Sequence, residues 1–204
     1  MIHPHNELRF VDPLIGWGVF ATQPIPGGTI TWVFDDLDQI VTPERALELA
    51  PVLAEAVEKY SYLNGRNQRL LCGDHSRFIN HSCRATCLSP GFDFESAVRD
   101  IEAGEELTDV FGTLNLEASV PCSCGAVDCR KTIGHQDFES CGARWDALVQ
   151  AAFPLMDQVP QPLWELVREK EAVEQTLAGK QAIPSCRVHF LGAQVKQPSC
   201  NSGH

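Results

Sequence analysis

Arg77-Phe78-Ile79-Asn80-His81-Ser82-Cys83 sets an amide, an imidazole and a thiol within four consecutive positions. Asn offers donors and an acceptor, His takes either role at neutral pH, and Cys ligates metals as the thiolate. On its own the run also suits a turn, with Cys83 as a small buried hydrophobe. The stretches around it decide between these readings.

Downstream, Cys122-Ser123-Cys124-Gly125-Ala126-Val127-Asp128-Cys129 places three thiols within eight residues, and Gly125 lets the chain fold back on itself. Three thiols at this spacing point to a structural zinc site, which is usually tetrahedral and needs a fourth ligand from elsewhere. Cys83, Cys87, Cys72 and Cys141 are the candidates. A metal also explains how a loop with little apolar content holds a shape. The nine cysteines are odd in number and grouped, which argues against a disulfide framework and for a reducing, intracellular compartment, cytoplasm or nucleus.

A chain of 204 residues is long enough for one domain with a sizeable core and an appendage. It has no apolar run of about 18 residues, and its first residues are polar rather than basic then apolar, so a soluble protein with no membrane association is expected. The net charge is −11, and because residues 180–204 carry Lys180, Arg187 and Lys196 without an acid, the rest stands near −14. Such a body repels phosphate backbones. It disfavours direct nucleic-acid binding and favours a basic, lysine-containing protein or peptide as partner.

Between these landmarks the chain reads as many short strands. Leu8 to Thr22 gives strand, turn and strand, broken at Asp12-Pro13. Thr29 to Phe34 is β-branched and aromatic. Thr42-Pro43-Glu44 starts a helix that Pro51 divides, Asn64-Gly65 predicts a tight hairpin turn before Arg69 to Cys72, and short strands run from Ala85 to Thr108 with turns at Pro90-Gly91 and Ala103-Gly104. Beyond Pro121 helical spacing takes over, with Trp145, Leu148, Val149, Ala152 and Phe153 in one helix and Leu163, Trp164, Val167, Val173 and Leu177 in a second started by Pro162. The fold class is mainly β with an α insert (α+β), and Trp17 is expected in the core.

Four stretches occur in one order: Gly16-Trp17-Gly18, the Arg77–Cys83 run, Arg99 to Thr108, and the cysteine cluster continuing as Arg130-Lys131-Thr132-Ile133-Gly134. Together they resemble a SET domain with a post-SET zinc motif, the family of protein-lysine methyltransferases that use S-adenosylmethionine. The resemblance implies a β-clip of small sheets with a pseudoknot, in which the Asn-His run lies beneath the loop ending near Phe111. It implies a SET domain over residues 8–116 with a helical insert at about 43–59, a post-SET motif over 117–138, a helical extension over 139–179 and a loosely ordered tail over 180–204. By the same resemblance Gly16, Trp17, Gly18, Arg77, Asn80 and His81 hold the cofactor, Ile133 covers its adenine, and Cys83 completes the zinc site of Cys122, Cys124 and Cys129. Ser61-Tyr62-Leu63 matches the segment that carries a tyrosine beside the lysine channel.

Methyl transfer from a sulfonium to an amine is an in-line displacement that needs alignment and a neutral amine, and a narrow aromatic channel lowers the lysine pKa from about 10.4. The chain departs from the family at this point. Where the pattern ends in Tyr-Gly it reads Asp109-Val110-Phe111-Gly112, so Phe111 stands where the catalytic tyrosine belongs. Phe111 keeps the ring without the hydroxyl, and Tyr62 or Tyr60 is then expected to compensate. Asp109 either lines the channel, attracting the ammonium while favouring its charged form, or faces solvent in a turn. Arg84-Ala85-Thr86 replaces the usual Pro-Asn after the cysteine. The alternative function is a weakly active or inactive SET-fold protein that binds cofactor or a basic peptide, and a zinc-stabilised interaction module is the third.

Overall fold

Short β-branched and aromatic runs between Gly, Pro and Asn turns do form small sheets here. The computed structural model describes residues 1–191. In chain order the elements are β1 (Asn6–Asp12), β2 (Gly16–Ala21), β3 (Ile30–Val33), β4 (Gln39–Val41), α1 (Pro43–Leu47), α2 (Pro51–Tyr60), β5 (Ser61–Leu63), β6 (Arg69–Leu71), β7 (Asn80–His81), β8 (Cys87–Leu88), β9 (Phe94–Ala97), β10 (Glu106–Asp109), β11 (Val120–Pro121), β12 (Thr132–Ile133), α3 (Asp137–Ala152) and α4 (Lys170–Leu177). They assemble as sheets ordered β1-β2-β10-β7, β3-β9-β8 and β4-β6-β5, with β11-β12 as a separate pair. All pairs are antiparallel except β10 with β7, where Thr108 faces Asn80 and Asp109 faces His81. That parallel pair delivers the Asn-His run against the chain that leads to Phe111.

The first two sheets close on a core of Val19, Ala21, Ile25, Cys87, Ala97, Ile101 and Leu107, each fully buried. A second core lies on β3 and β9, where Phe92 and Phe94 stack at 5.7 Å and Phe92 meets Phe153 at 6.1 Å. It takes in Leu163, Val167 and Val173, so the C-terminal extension packs onto the sheets directly. Pro51 divides the insert as expected, with Thr42 capping α1 through a 3.3 Å bond from the Arg45 N–H.

Several expectations need correction. Asn64-Gly65 is not a two-residue turn: Asn64 Oδ1 accepts from the N–H groups of Arg66 (2.9 Å) and Gln68 (3.0 Å), and the left-handed residue is Asn67 at φ 58°. The Asn64 side chain builds a longer loop by imitating a backbone turn. Trp17 is not a core residue, since it is 50 % exposed on the β1–β2 ribbon, edge-on to Phe10. The second C-terminal helix is split, because Val167 turns extended to bury its side chain and Glu169 accepts the Asp93 N–H at 2.8 Å, leaving α4 to begin at Lys170. The stretch expected as a loose tail is packed up to Leu191: Cys186–His189 forms a 3-10 turn, Cys186 is buried, and Asn115 Oδ1 accepts the Leu191 N–H at 3.0 Å. Residues 192–204 lie outside the described residues.

Candidate active site and metal centre

Asn80 is placed by β7 and fixed by two donations from its amide, to Trp17 O at 3.1 Å and Glu106 Oε1 at 2.8 Å. Those bonds leave Asn80 Oδ1 as an acceptor beside the β2 backbone. Gly18 is required here, because an added Cβ would stand 2.4 Å from Glu106 Oε1 and 2.9 Å from Asn80 Nδ2. Gly16 takes φ 86° and faces open space, so the backbone at the start of β2 stays approachable by a ligand. Glu106 went unnoticed in the sequence, where it reads as one more surface acid.

His81, next along, is turned toward the cysteines. Its Nδ1 accepts the Phe111 N–H at 3.1 Å, which leaves Nε2 to carry the proton 3.5 Å from Cys83 Sγ. Burial, with the Arg130 charge adding to it, pulls the imidazole down to about 4, so it is neutral at pH 7. The ring lies 5.6 Å from that of Phe111.

Around Cys83 the thiols converge. Its Sγ is 3.9 Å from Cys122 Sγ, which is 3.6 Å from Cys129 Sγ. The His81 nitrogen and the sulfurs of Cys83, Cys122 and Cys124 all lie within 4.8 Å of one another. A tetrahedron with metal–sulfur bonds of about 2.3 Å has edges of about 3.8 Å, so the measured separations suit one zinc among thiolates. Burial raises the Cys124 thiol, but N–H groups of Cys83 and Ala126 outweigh it and hold the group at about 7. Of the other candidate thiols, Cys87 is buried in the core between the sheets and Cys72 packs beside Trp32, away from the cluster. Arg84 pairs with Asp128 at 2.7 Å, which ties the cysteine loop to the run that follows Cys83. Ile133 is buried within this cluster alongside Phe111.

A cavity of about 430 Å³ lies next to these groups, between the end of α2 with β5 and the chain from Phe111 to Val120. Tyr62, Arg77, Asp109 and Phe111 line it, which joins both residues expected at the lysine channel to one expected at the cofactor. Asp109 is buried in β10 and not in a solvent-facing turn. A second cavity of about 300 Å³ shares Trp32, Tyr62, Leu63, Glu95 and Leu114 with the first. Glu95 is the residue that sequence reading missed. In Phe94-Glu95-Ser96 it looks like the solvent face of an alternating strand, but β9 is the middle strand of its sheet and Glu95 lines both cavities, half-buried.

Comparison with known proteins agrees with this geometry. The SET domain model matches residues 16–112. Over 142 residues, 63 % of the chain, it is 30 % identical to histone-lysine N-methyltransferase SETD1 of Drosophila melanogaster, of which it covers 8 %. It is 32 % identical over 141 residues, 62 % of its length, to histone-lysine N-methyltransferase ash1 of the same organism, of which it covers 6 %. Against ASHH4 of Arabidopsis thaliana it is 30 % identical over 177 residues, 76 % of the chain and 47 % of that protein. The chain therefore spans less than half the length of these relatives.

Proposed function

We propose that this chain is an S-adenosylmethionine-dependent protein-lysine N-methyltransferase. The observation that carries the reading is the register of β7 on β10: Asn80, tied to the Gly16–Gly18 backbone, pairs with Thr108, and the next residue, Asp109, lines the cavity with Tyr62 and Phe111. The Gly16–Gly18 backbone and an aromatic, acid-lined cavity thus adjoin across one residue step. The relatives are named for methylation of histone lysines, which supports a basic protein such as a histone as substrate.

In this reading the cofactor supplies an electrophilic methyl group on a sulfonium. The backbone of Gly16, Trp17 and Gly18 with Arg77, Asn80 and His81 would hold it, and Ile133 would cover its adenine. Tyr62 and Phe111 confine the lysine stem, excluding water so that the amine lies in line with the methyl carbon. Cys83, Cys122, Cys124 and Cys129 hold one zinc, which requires reduced thiols and hence a reducing compartment such as the nucleus. Among the described residues no helix is long and apolar enough to cross a membrane.

The missing hydroxyl at Phe111 favours a second reading, a SET-fold protein that binds cofactor and basic peptide with little turnover. Calorimetric titration with S-adenosylmethionine followed by transfer of labelled methyl to a panel of lysine-bearing proteins separates the two. Binding with incorporation into lysine supports the first, binding without incorporation supports the second, and no binding overturns both.

A further inference from the structure

One wall of the first cavity holds a carboxylic pair, Asp109 buried and Glu95 half-buried. Glu95 comes from β9 and Asp109 from β10, and their carboxyls share a hydrogen bond. Two carboxyls in that relation hold one proton between them and one negative charge. Burial, with Asp109 adding to it, raises Glu95 well above the carboxylate range, and burial raises Asp109 to about 6. Among the described residues no basic side chain pairs with either carboxyl, and the Val110 N–H donates to Asp109 Oδ1.

A buried charge without a partner is costly, and the chain gains nothing from this one by itself. The surroundings indicate what would balance it. Trp32, directly across the strand pair from Glu95, is 7 % exposed. Its ring stands edge-on to Tyr62 at 6.3 Å, and both rings line both cavities. Two acids and two aromatic rings lining one cavity form a seat for an alkylammonium group. The titratable groups lining the first cavity beside Glu95 include Asp109, the Tyr62 hydroxyl and the Cys72 thiol. At the mouths of the cavities stand Lys59, Arg69 and Arg77 with Glu58 and Glu117 on one side, and Arg66 and His189 with Asp93 and Glu169 on the other.

We propose that the Glu95–Asp109 pair receives the ammonium of the target lysine and takes its proton before methyl transfer. This rests on the methyltransferase reading above. The lysine ammonium gives one proton to the pair, which passes from one shared proton and one negative charge to two neutral carboxyls. The freed lone pair on nitrogen forms the new N–C bond to the methyl carbon as the C–S bond breaks, its electrons remaining on sulfur. The methylated amine leaves as the ammonium after the pair returns its proton to solvent or product. An isolated Asp109 would only hold the lysine in its unreactive charged form. Burial is what raises Asp109 toward a proton acceptor, and Glu95 supplies the second carboxyl that shares the proton, a role that the hydroxyl absent from Phe111 cannot fill.

The test uses the full, zinc-loaded chain and the near-isosteric double variant Glu95→Gln/Asp109→Asn. Calorimetric binding of n-butylammonium, a bare lysine side chain, is expected to weaken on the order of tenfold or more in the double variant. Glu95→Gln alone keeps one negative charge and is expected to bind within about twofold of the parent. The pH profile of methyl transfer to core histones supplies the second readout. For the parent it stays nearly level from about pH 7 to 9, whereas in the double variant it climbs about tenfold per unit with the free-amine fraction in solution. Unchanged butylammonium affinity overturns the seat, and parallel pH profiles overturn the proton transfer. If the parent transfers no methyl at any pH, the methyltransferase reading fails and the proton-taking step with it, while the butylammonium result still decides the seat. Melting both proteins guards against misfolding, since removing a buried unpaired charge is expected to raise the double variant's melting temperature and a fall would overturn the pair's proposed cost.

Discussion

The Asn80–Cys83 run and the Glu95–Asp109 wall sit one strand pairing apart and solve opposite problems. In the run the chain supplies its own partners: Asn80 is anchored to Trp17 O and Glu106, and His81 bridges the Phe111 N–H and the Cys83 sulfur. In the wall Asp109 Oδ1 accepts the Val110 N–H and Asp109 shares a bond with Glu95, while among the described residues the Trp32 N–H has no acceptor. A self-satisfied run holds a fixed geometry, whereas an unbalanced wall derives its sense from what enters it.

The largest expected effect lies on the run's side. Stripping metal with a chelator under reducing conditions, or Cys83→Ser, is expected to cost on the order of several kcal/mol and to lower the metal content from one zinc per chain. Cys141→Ala, at a thiol outside the cluster, is the control and should leave metal analysis unchanged. Equal zinc in the Cys83 variant would break the comparison at its base.

The next effect belongs to the wall and has a defined sign. Because burial raises Asp109 from 3.8 to about 6, the folded state keeps a proton that the unfolded chain has already released. The stability this contributes is complete below about pH 4 and is lost as the pH rises toward 6, an amount of at most ~3 kcal/mol. Asp109→Asn should flatten that slope in denaturant titrations across this window. A smaller loss is expected from Gly18→Ala, whose Cβ would displace Asn80 and Glu106: cofactor affinity falls on the order of tenfold in calorimetry, with zinc content retained. Phe111→Tyr is expected to be mildest, restoring a hydroxyl at the cavity and raising methyl transfer by roughly tenfold. No gain would mean that the acid pair has already taken over what that hydroxyl does elsewhere.

How much of this was legible in the sequence depended on whether a residue's partners lie nearby along the chain or in a repeating pattern. The cysteine cluster and the divided insert carry local signals: the thiols of Cys83, Cys122 and Cys124 converge, and Pro51 starts a second helix after α1. Position 95 did not, because a single charged residue in a short strand reads as solvent-facing unless one knows that the strand is central in its sheet. Trp17 failed in the opposite direction, since a tryptophan between glycines reads as core but lies on a two-stranded ribbon with one open face. The Asn64 loop went wrong because the side chain of Asn64 outcompeted the Asn-Gly turn preference. Val167 and Glu169 broke a periodic helix for tertiary reasons, a buried side chain and one hydrogen bond to Asp93.

The most direct test of the central claim is transfer of methyl from S-adenosylmethionine to core histones by the zinc-loaded chain, with the modified residues located by mass spectrometry. The account predicts methyl groups on lysine side-chain nitrogens, lost in Glu95→Gln/Asp109→Asn at pH 7. Cofactor binding without any lysine methylation, across histones and other basic proteins, would contradict it.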